Sequence, residues 1–443
     1  MKTTFTSALA SILLAGSSFA SLTAQAQVFG PVSNLRPYDK SGINVFEDPK
    51  IDSIDFDGIR LKLGAGFTQA FQGLKHSNAS GELYKITPGF NTANANLFMD
   101  VQLAEGIRLN LTSYLSSRHH NETWVKGGYI QFDKLPFNGQ IWDDIMAITT
   151  IKVGHMEINY GDQHFRRSDG GHTFYNPFAE NYILDAFTTE IGGEVLVRKN
   201  GLFGMVGVSN GLIKGSIDEL VPTTVDDNIR KSPSIYLKAG IDKQVLPELR
   251  ARLSASFYTN NSSGGQTLYG GDRTGSNYFM VMEKAGSTYS ANAFSGRLNP
   301  GFSKKVDAFQ LNGFLKAKGL ELFATYETAQ GRTKTETENR NVSQYAVDAV
   351  YRFGRNENLF VGARYNTVSA TLANVAATAT TEAIVYDNDV KIDRIAFGAG
   401  WFMTRNILLK GEYVTQDYND FPTADYRNGG KFNGYVIQAA VGF

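Results

Sequence analysis

From Ile59 onward the chain alternates between apolar and polar positions. Ile59, Leu61, Leu63, Ala65 and Phe67 fall on one face of an extended strand, and Arg60, Lys62, Gly64, Gly66 and Thr68 on the other, because strand side chains point to opposite sides with a period of two. The pattern returns in Ala93, Ala95, Leu97, Met99, Val101 and Leu103 against Asn94, Asn96, Asp100 and Gln102, then in Ile107, Leu109 and Leu111 against Arg108, Asn110 and Thr112. Ala104-Glu105-Gly106 between these two reads as a tight hairpin turn. Further strands are predicted near 125–132, 151–160, 187–198, 202–208, 234–242, 249–258, 306–316, 320–327, 345–353, 359–366, 393–403, 407–415 and 435–443. The total is about sixteen, an even number, as a single-chain bacterial barrel requires. The stretch 278–282 is short and flanked by Gly and Ser, so it is assigned to a loop.

The connections alternate in length. Short ones at 199–201, 317–319, 354–358 and 404–406 interleave with long polar ones at 161–186, 209–233, 259–305, 328–344, 367–392 and 416–434. Short periplasmic turns at one rim and long external loops at the other fit an all-β transmembrane antiparallel barrel. The stretch 134–147 breaks this scheme, since it falls on the short-turn side yet is long and carries apolar Ile141, Trp142 and Ile145. A soluble β-sandwich would show similar alternation. It would also place Arg250, Arg252, Glu190 and Glu194 in a dry core, where unpaired burial costs on the order of several kcal/mol each. In a barrel those side chains face the lumen. Lipid admits no unpaired backbone edge, so a spanning sheet closes on itself.

The final strand sharpens this expectation. Tyr435, Ile437, Ala439, Val441 and Phe443 alternate with Val436, Gln438, Ala440 and Gly442, which looks like the closing strand read by the barrel-assembly machinery of Gram-negative bacteria. Tyr160, Tyr258, Trp401, Tyr413 and Tyr435 lie near strand ends and suit interfacial girdles.

At the other end, Met1-Lys2, a short apolar core from Ala8 to Ala15 and Ala24-Gln25-Ala26 have the form of a cleavable signal peptide over residues 1–26. Residues 27–56 then form a periplasmic N-terminal segment and 57–443 the barrel, and the expected location is the outer membrane. No other run approaches the roughly 18 apolar residues of a membrane helix. With Lys+Arg 43 against Asp+Glu 43 there is no nucleic-acid footprint, and with no cysteine there is no disulfide scaffold. The 45 Gly, 30 Phe and 21 Tyr against 11 Pro favour strands and turns.

Catalytic chemistry is not signalled. No Walker A or HExxH motif occurs, and of the six histidines only His155 lies well inside a predicted strand, on the face of Ile151 and Val153. The chain is therefore expected to be no enzyme, with no cofactor and no metal site. About thirty residues before the first strand are too few for the folded plug of a gated active transporter, whose barrels have about 22 strands.

The segment 153–162, ending at Gly161-Asp162, opens into a charged, glycine-bearing loop that places Arg166, Arg167 and Asp169 as a candidate constriction. This arrangement resembles the phosphate-selective porin O and P family, in which a V-G-x-x-x-x-x-x-G stretch precedes the loop that folds into the pore. The stretches 206–211 and 321–327 are similar to that family's hairpins. The resemblance implies a pore and a homotrimer. Phosphate selectivity does not carry over, because 161–186 contains no lysine and balances Arg166 and Arg167 with Asp162, Asp169, Glu180 and Asp185.

A barrel of about sixteen strands is too wide for side chains alone to fill. The expected function is passive diffusion of small hydrophilic solutes or ions. Arg60, Lys62, Arg108, Arg250, Arg252, Arg364, Glu190 and Glu194 are candidate pore-lining residues. The wider inward set adds Lys152, Arg198, Lys238, Lys316, Arg352, Arg394 and Lys410 against Asp100, Asp242, Glu321, Glu327, Asp348 and Glu412, a basic surplus that predicts a weak anion preference. The expected partners are outer-membrane lipid, the assembly machinery and the solutes. The alternative is a non-conducting barrel, plugged by 161–186 or 259–305, whose long loops bind a surface partner.

Overall fold

The computed structural model describes residues 28–50, 55–379 and 381–443. The signal-peptide assignment of 1–26 and the start of the mature chain at Gln27 lie outside them. Sixteen strands follow in chain order: β1 (Arg60–Ser77), β2 (Asn94–Ala104), β3 (Ile107–Leu115), β4 (Trp124–Phe132), β5 (Thr149–Glu157), β6 (Thr189–Lys199), β7 (Leu202–Ser209) and β8 (Ser234–Leu246). They continue as β9 (Leu249–Asn260), β10 (Lys305–Ala317), β11 (Leu320–Arg332), β12 (Arg340–Phe353), β13 (Leu359–Ala370), β14 (Val390–Thr404), β15 (Ile407–Asn419) and β16 (Lys431–Gly442). Each pairs antiparallel with the next, and β16 pairs with β1 from Lys431↔Ser77 to Gly442↔Gly66, which closes the barrel. Two-residue strands at Val28–Phe29 and Gly89–Phe90 add to β1.

The alternation seen in the sequence sets the two faces. Phe67, Val153, Leu253, Ile395 and Phe397 are exposed on the outside, whereas Asp100, Arg108, Arg252, Arg364 and Arg394 are buried on the inside. Trp401, Tyr413 and Tyr435 are exposed outward, in keeping with a girdle, and Ile437 and Phe443 share that face on the closing strand. Tyr160 and Tyr258 do not belong to a girdle. Tyr258 shares the inward parity of Arg250 and Arg252 and donates to Glu190 at 2.8 Å, while Tyr160 lies beyond the end of β5 and donates to Glu327 at 3.3 Å. Both are fully buried.

The stretch 134–147 contains a short helix, α1 (Gln140–Met146). Phe137, Ile141, Trp142 and Ile145 around it are exposed and Met146 is buried.

The interior is not an open tube. Residues 30–50 enter the mouth at the short-turn rim, residues 158–188 cross the lumen between β5 and β6, and much of 261–304 packs beside them. The expectation that inward charges face open water is corrected accordingly: most are buried against these inserted segments. An irregular backbone inside a barrel needs partners for its N–H and C=O groups, and the inward polar side chains supply them.

Candidate functional site

The arm 158–188 is held against the far wall by one inward side chain after another. Lys410 donates to the carbonyls of Thr173, Asn176 and Phe178 at 2.8, 2.7 and 2.8 Å. Arg364 reaches Glu180 O at 2.7 Å and Arg394 reaches Asn181 O at 2.6 Å. Glu412, Asn366 and Gln344 accept from the amides of Ala179, Ile183 and Leu184. Phe178, Ile183 and Leu184 complete the contact from the apolar side, within the core that also contains Val350 and Phe360. Strand residues read as pore lining thus anchor the arm.

The tip of the arm is fixed by close approach of glycines. Asp169 and His172 exchange backbone hydrogen bonds of 2.9 Å across Gly170-Gly171, with Gly170 at φ +57°. A Cβ on Gly171 would stand 2.5 Å from Ala95 Cα, so only glycine lets the tip lie flush on β1 and β2. Asn96 and Thr68 seal the contact, accepting from Gly171 N at 3.0 Å and donating to Gly171 O at 2.6 Å. Burial pushes the His172 imidazole down to about 4 and keeps it neutral, with Nε2 2.6 Å from Tyr38 O.

A cavity of about 230 Å³ remains between this arm and the wall formed by β2–β6. It extends from Arg198, near the short-turn end of β6, to Lys126 and Thr189 at the opposite end. Lys126, Lys152 and Arg198 stand on its wall, faced by Asp48 and Asp169 from the inserted segments. Lys152 binds Asp48 at 2.7 Å, and Lys126 pairs with Asp169. Arg167 is drawn to Asp185 and Asp272 at 2.6 and 2.7 Å and lies 3.7 Å over the Phe187 ring. Burial would lower its basicity, but these carboxylates outweigh it and hold the guanidinium well above its ordinary value. At the outer end Arg273 reaches from 261–304 to Lys126 O and, at 3.0 Å, to Thr189.

The chain matches no family model and no curated protein sequence. Among solved structures it is similar to the anion-selective porin from Comamonas acidovorans, with a TM-score of 0.52 at 10% identity over 87% of this chain and 100% of that one. The trimer form of in-vitro folded OmpT from Vibrio cholerae gives 0.50 at 11% identity, over 87% and 100%. This chain has the general 16-strand outer-membrane porin fold.

Within the porin barrel, Arg167, Asp169 and Glu194 line the cavity, joined by Lys152 and Arg198 of the wider inward set. Arg166 points elsewhere, over the rings of Phe314 and Phe323 and beside Glu321 at 3.8 Å. Arg60 pairs with Asp57 at the rim, Lys62 lies over Tyr38, and Arg108 binds Asp133 at 3.0 Å. Arg250 pairs with Asp242, Arg252 with Glu47 and Asp162, and Arg364 with Asp348. Glu190 takes Tyr258 and Ser209. Lys126 was missed because strict alternation from outward Ile130 puts it on the outer face, and only the register shift between Val125 and Gly127 on β4 turns it inward. Arg36 and Asp48 had no local signal, since only the fold brings 30–50 to the cavity.

Proposed function

We propose that this porin-fold protein is a passive outer-membrane channel for small hydrophilic solutes or ions. The cavity from Arg198 to Lys126 carries this reading, because it follows the β2–β6 wall along the length of β6 and is lined by charged groups. Its narrowness favours small solutes. The basic surplus on the inner face is largely matched by Glu47, Asp48, Asp162 and Asp169 from the inserted segments, so the proposed anion preference is weak. Likeness to phosphate-selective porins enters only through the inserted arm; its lack of lysine leaves phosphate recognition out of the proposal. A homotrimer belongs to this reading by resemblance.

Liposome swelling tests it. Vesicles with the purified protein should swell in small polyols and progressively less in larger sugars; no swelling in any solute contradicts it. The depth to which 30–50, 158–188 and 261–304 are buried favours the second reading, a plugged barrel whose loops bind a surface partner.

A further inference from the structure

Residues 30–50 make a circuit inside the short-turn mouth. Ser33 accepts from Arg108 on β3 at 2.8 Å, and Tyr38 donates to Asp100 on β2 at 3.0 Å. Asp39 binds Arg405 in the β14–β15 turn. Asn44 donates to Glu321 on β11 at 2.5 Å and accepts at its carbonyl from Arg250 on β9 at 2.9 Å. Glu47 and Asp48 take Arg252 and Lys152. Lys50 then binds Asp133 at 3.0 Å, the same carboxylate that holds Arg108, so the path ends beside its beginning.

This strap also supports the arm above it. Arg36 donates to Phe165 O at 2.9 Å and lies 3.4 Å over the Tyr175 ring, and Tyr175 donates to Pro37 O at 2.6 Å. Apart from one 3-10 turn at Lys40–Gly42, the strap has no regular structure of its own from 30 to 50.

We infer that the strap is an in-built closure that narrows the short-turn mouth and is held there by its carboxylates. The inference rests on the channel reading. Ion pairs suit such a closure, since attraction and desolvation nearly cancel and the pairs confer position at little net stability. When the strap leaves, Arg252, Lys152 and Arg405 exchange its carboxylates for water.

Single-channel recording of wild type, Arg405→Gln and the triple variant Asp39→Asn/Glu47→Gln/Asp48→Asn tests this, with trypsin added on the short-turn side to report the strap through Lys40 and Lys50. The triple variant should be cut within the strap and conduct about twofold more than wild type or better, as a wider mouth requires. Arg405→Gln, altered at an exposed turn, should give a smaller rise. Equal conductance in all three, or a strap still protected in the triple variant, overturns the closure while leaving the channel reading standing. Absence of conductance in all three overturns both.

Discussion

Arg252 on β9 grips Glu47 of the strap with both terminal nitrogens, Nη1 to Oε2 and Nη2 to Oε1, at 2.7 Å each. The same guanidinium holds Asp162 of the arm through Nε at 2.7 Å and Nη2 at 2.8 Å. Burial alone would raise the Glu47 carboxyl, but Arg252 and Lys238 outweigh it and keep it at about 2. One strand residue therefore ties two inserted segments together. Arg252→Ala leaves two buried carboxylates sharing Lys238, a loss of roughly 3–5 kcal/mol for the docked segments. Urea titration of the folded protein should show an early transition in which strap and arm become trypsin-sensitive while the barrel persists. A wild-type digestion pattern contradicts the prediction.

The arm tip depends on its glycine. Gly171→Val drives a branched side chain into Ala95 and the Gly66 carbonyl, which stand 2.5 and 2.6 Å from a Cβ at that position. The tip should lift from β1 and β2, with larger or noisier single-channel steps. Steps identical to wild type would show that the tip does not limit the path.

Acid should loosen the same contact. The His172 imidazole, held near 4 by burial among Tyr38, Arg36, Asp169 and Lys410, stays neutral while docked and takes up a proton with a pKa of about 6.5 once released. The released state therefore binds more protons between pH 6.5 and 4, and docking weakens as pH falls through that window, by at most about 3 kcal/mol. Glu47 acts in the same direction at lower pH, its contribution fading from about 4.5 towards 2. Current noise should rise as pH drops from 7 to 4, and His172→Gln should flatten the upper part of the profile. A profile in which acid quiets the channel contradicts this.

Lys126 faces Asp169 across the outer part of the cavity. Lys126→Glu places two carboxylates together and should lower the anion-to-cation permeability ratio about twofold or more, read from reversal potentials in a salt gradient. The change should shrink in high salt, where the screening length falls to about 3 Å at 1 M. An unchanged ratio would place the ion path elsewhere.

Strand positions and faces were legible because a closed sheet with lipid outside and polar groups inside imposes a period of two on every strand, as in Leu61 to Phe67. The filling of the barrel was not. Lys410 and Arg364 looked like groups awaiting water, and nothing near them in sequence marks Thr173 O or Glu180 O as their partners. Glu47 and Arg252 stand 205 residues apart, so their contact follows from closure of the whole barrel rather than from any local pattern. Tyr258 was misplaced for a related reason: an aromatic near a strand end suits either face until its parity is followed from Arg252.

The most direct test of the account is planar-bilayer recording of the purified wild-type protein. It predicts stable ohmic steps, small for a 16-strand barrel because strap and arm fill much of the lumen beside the β2–β6 cavity. Bilayers that contain the folded barrel yet show no steps at any voltage would contradict it, and would identify the inserted segments as a permanent plug.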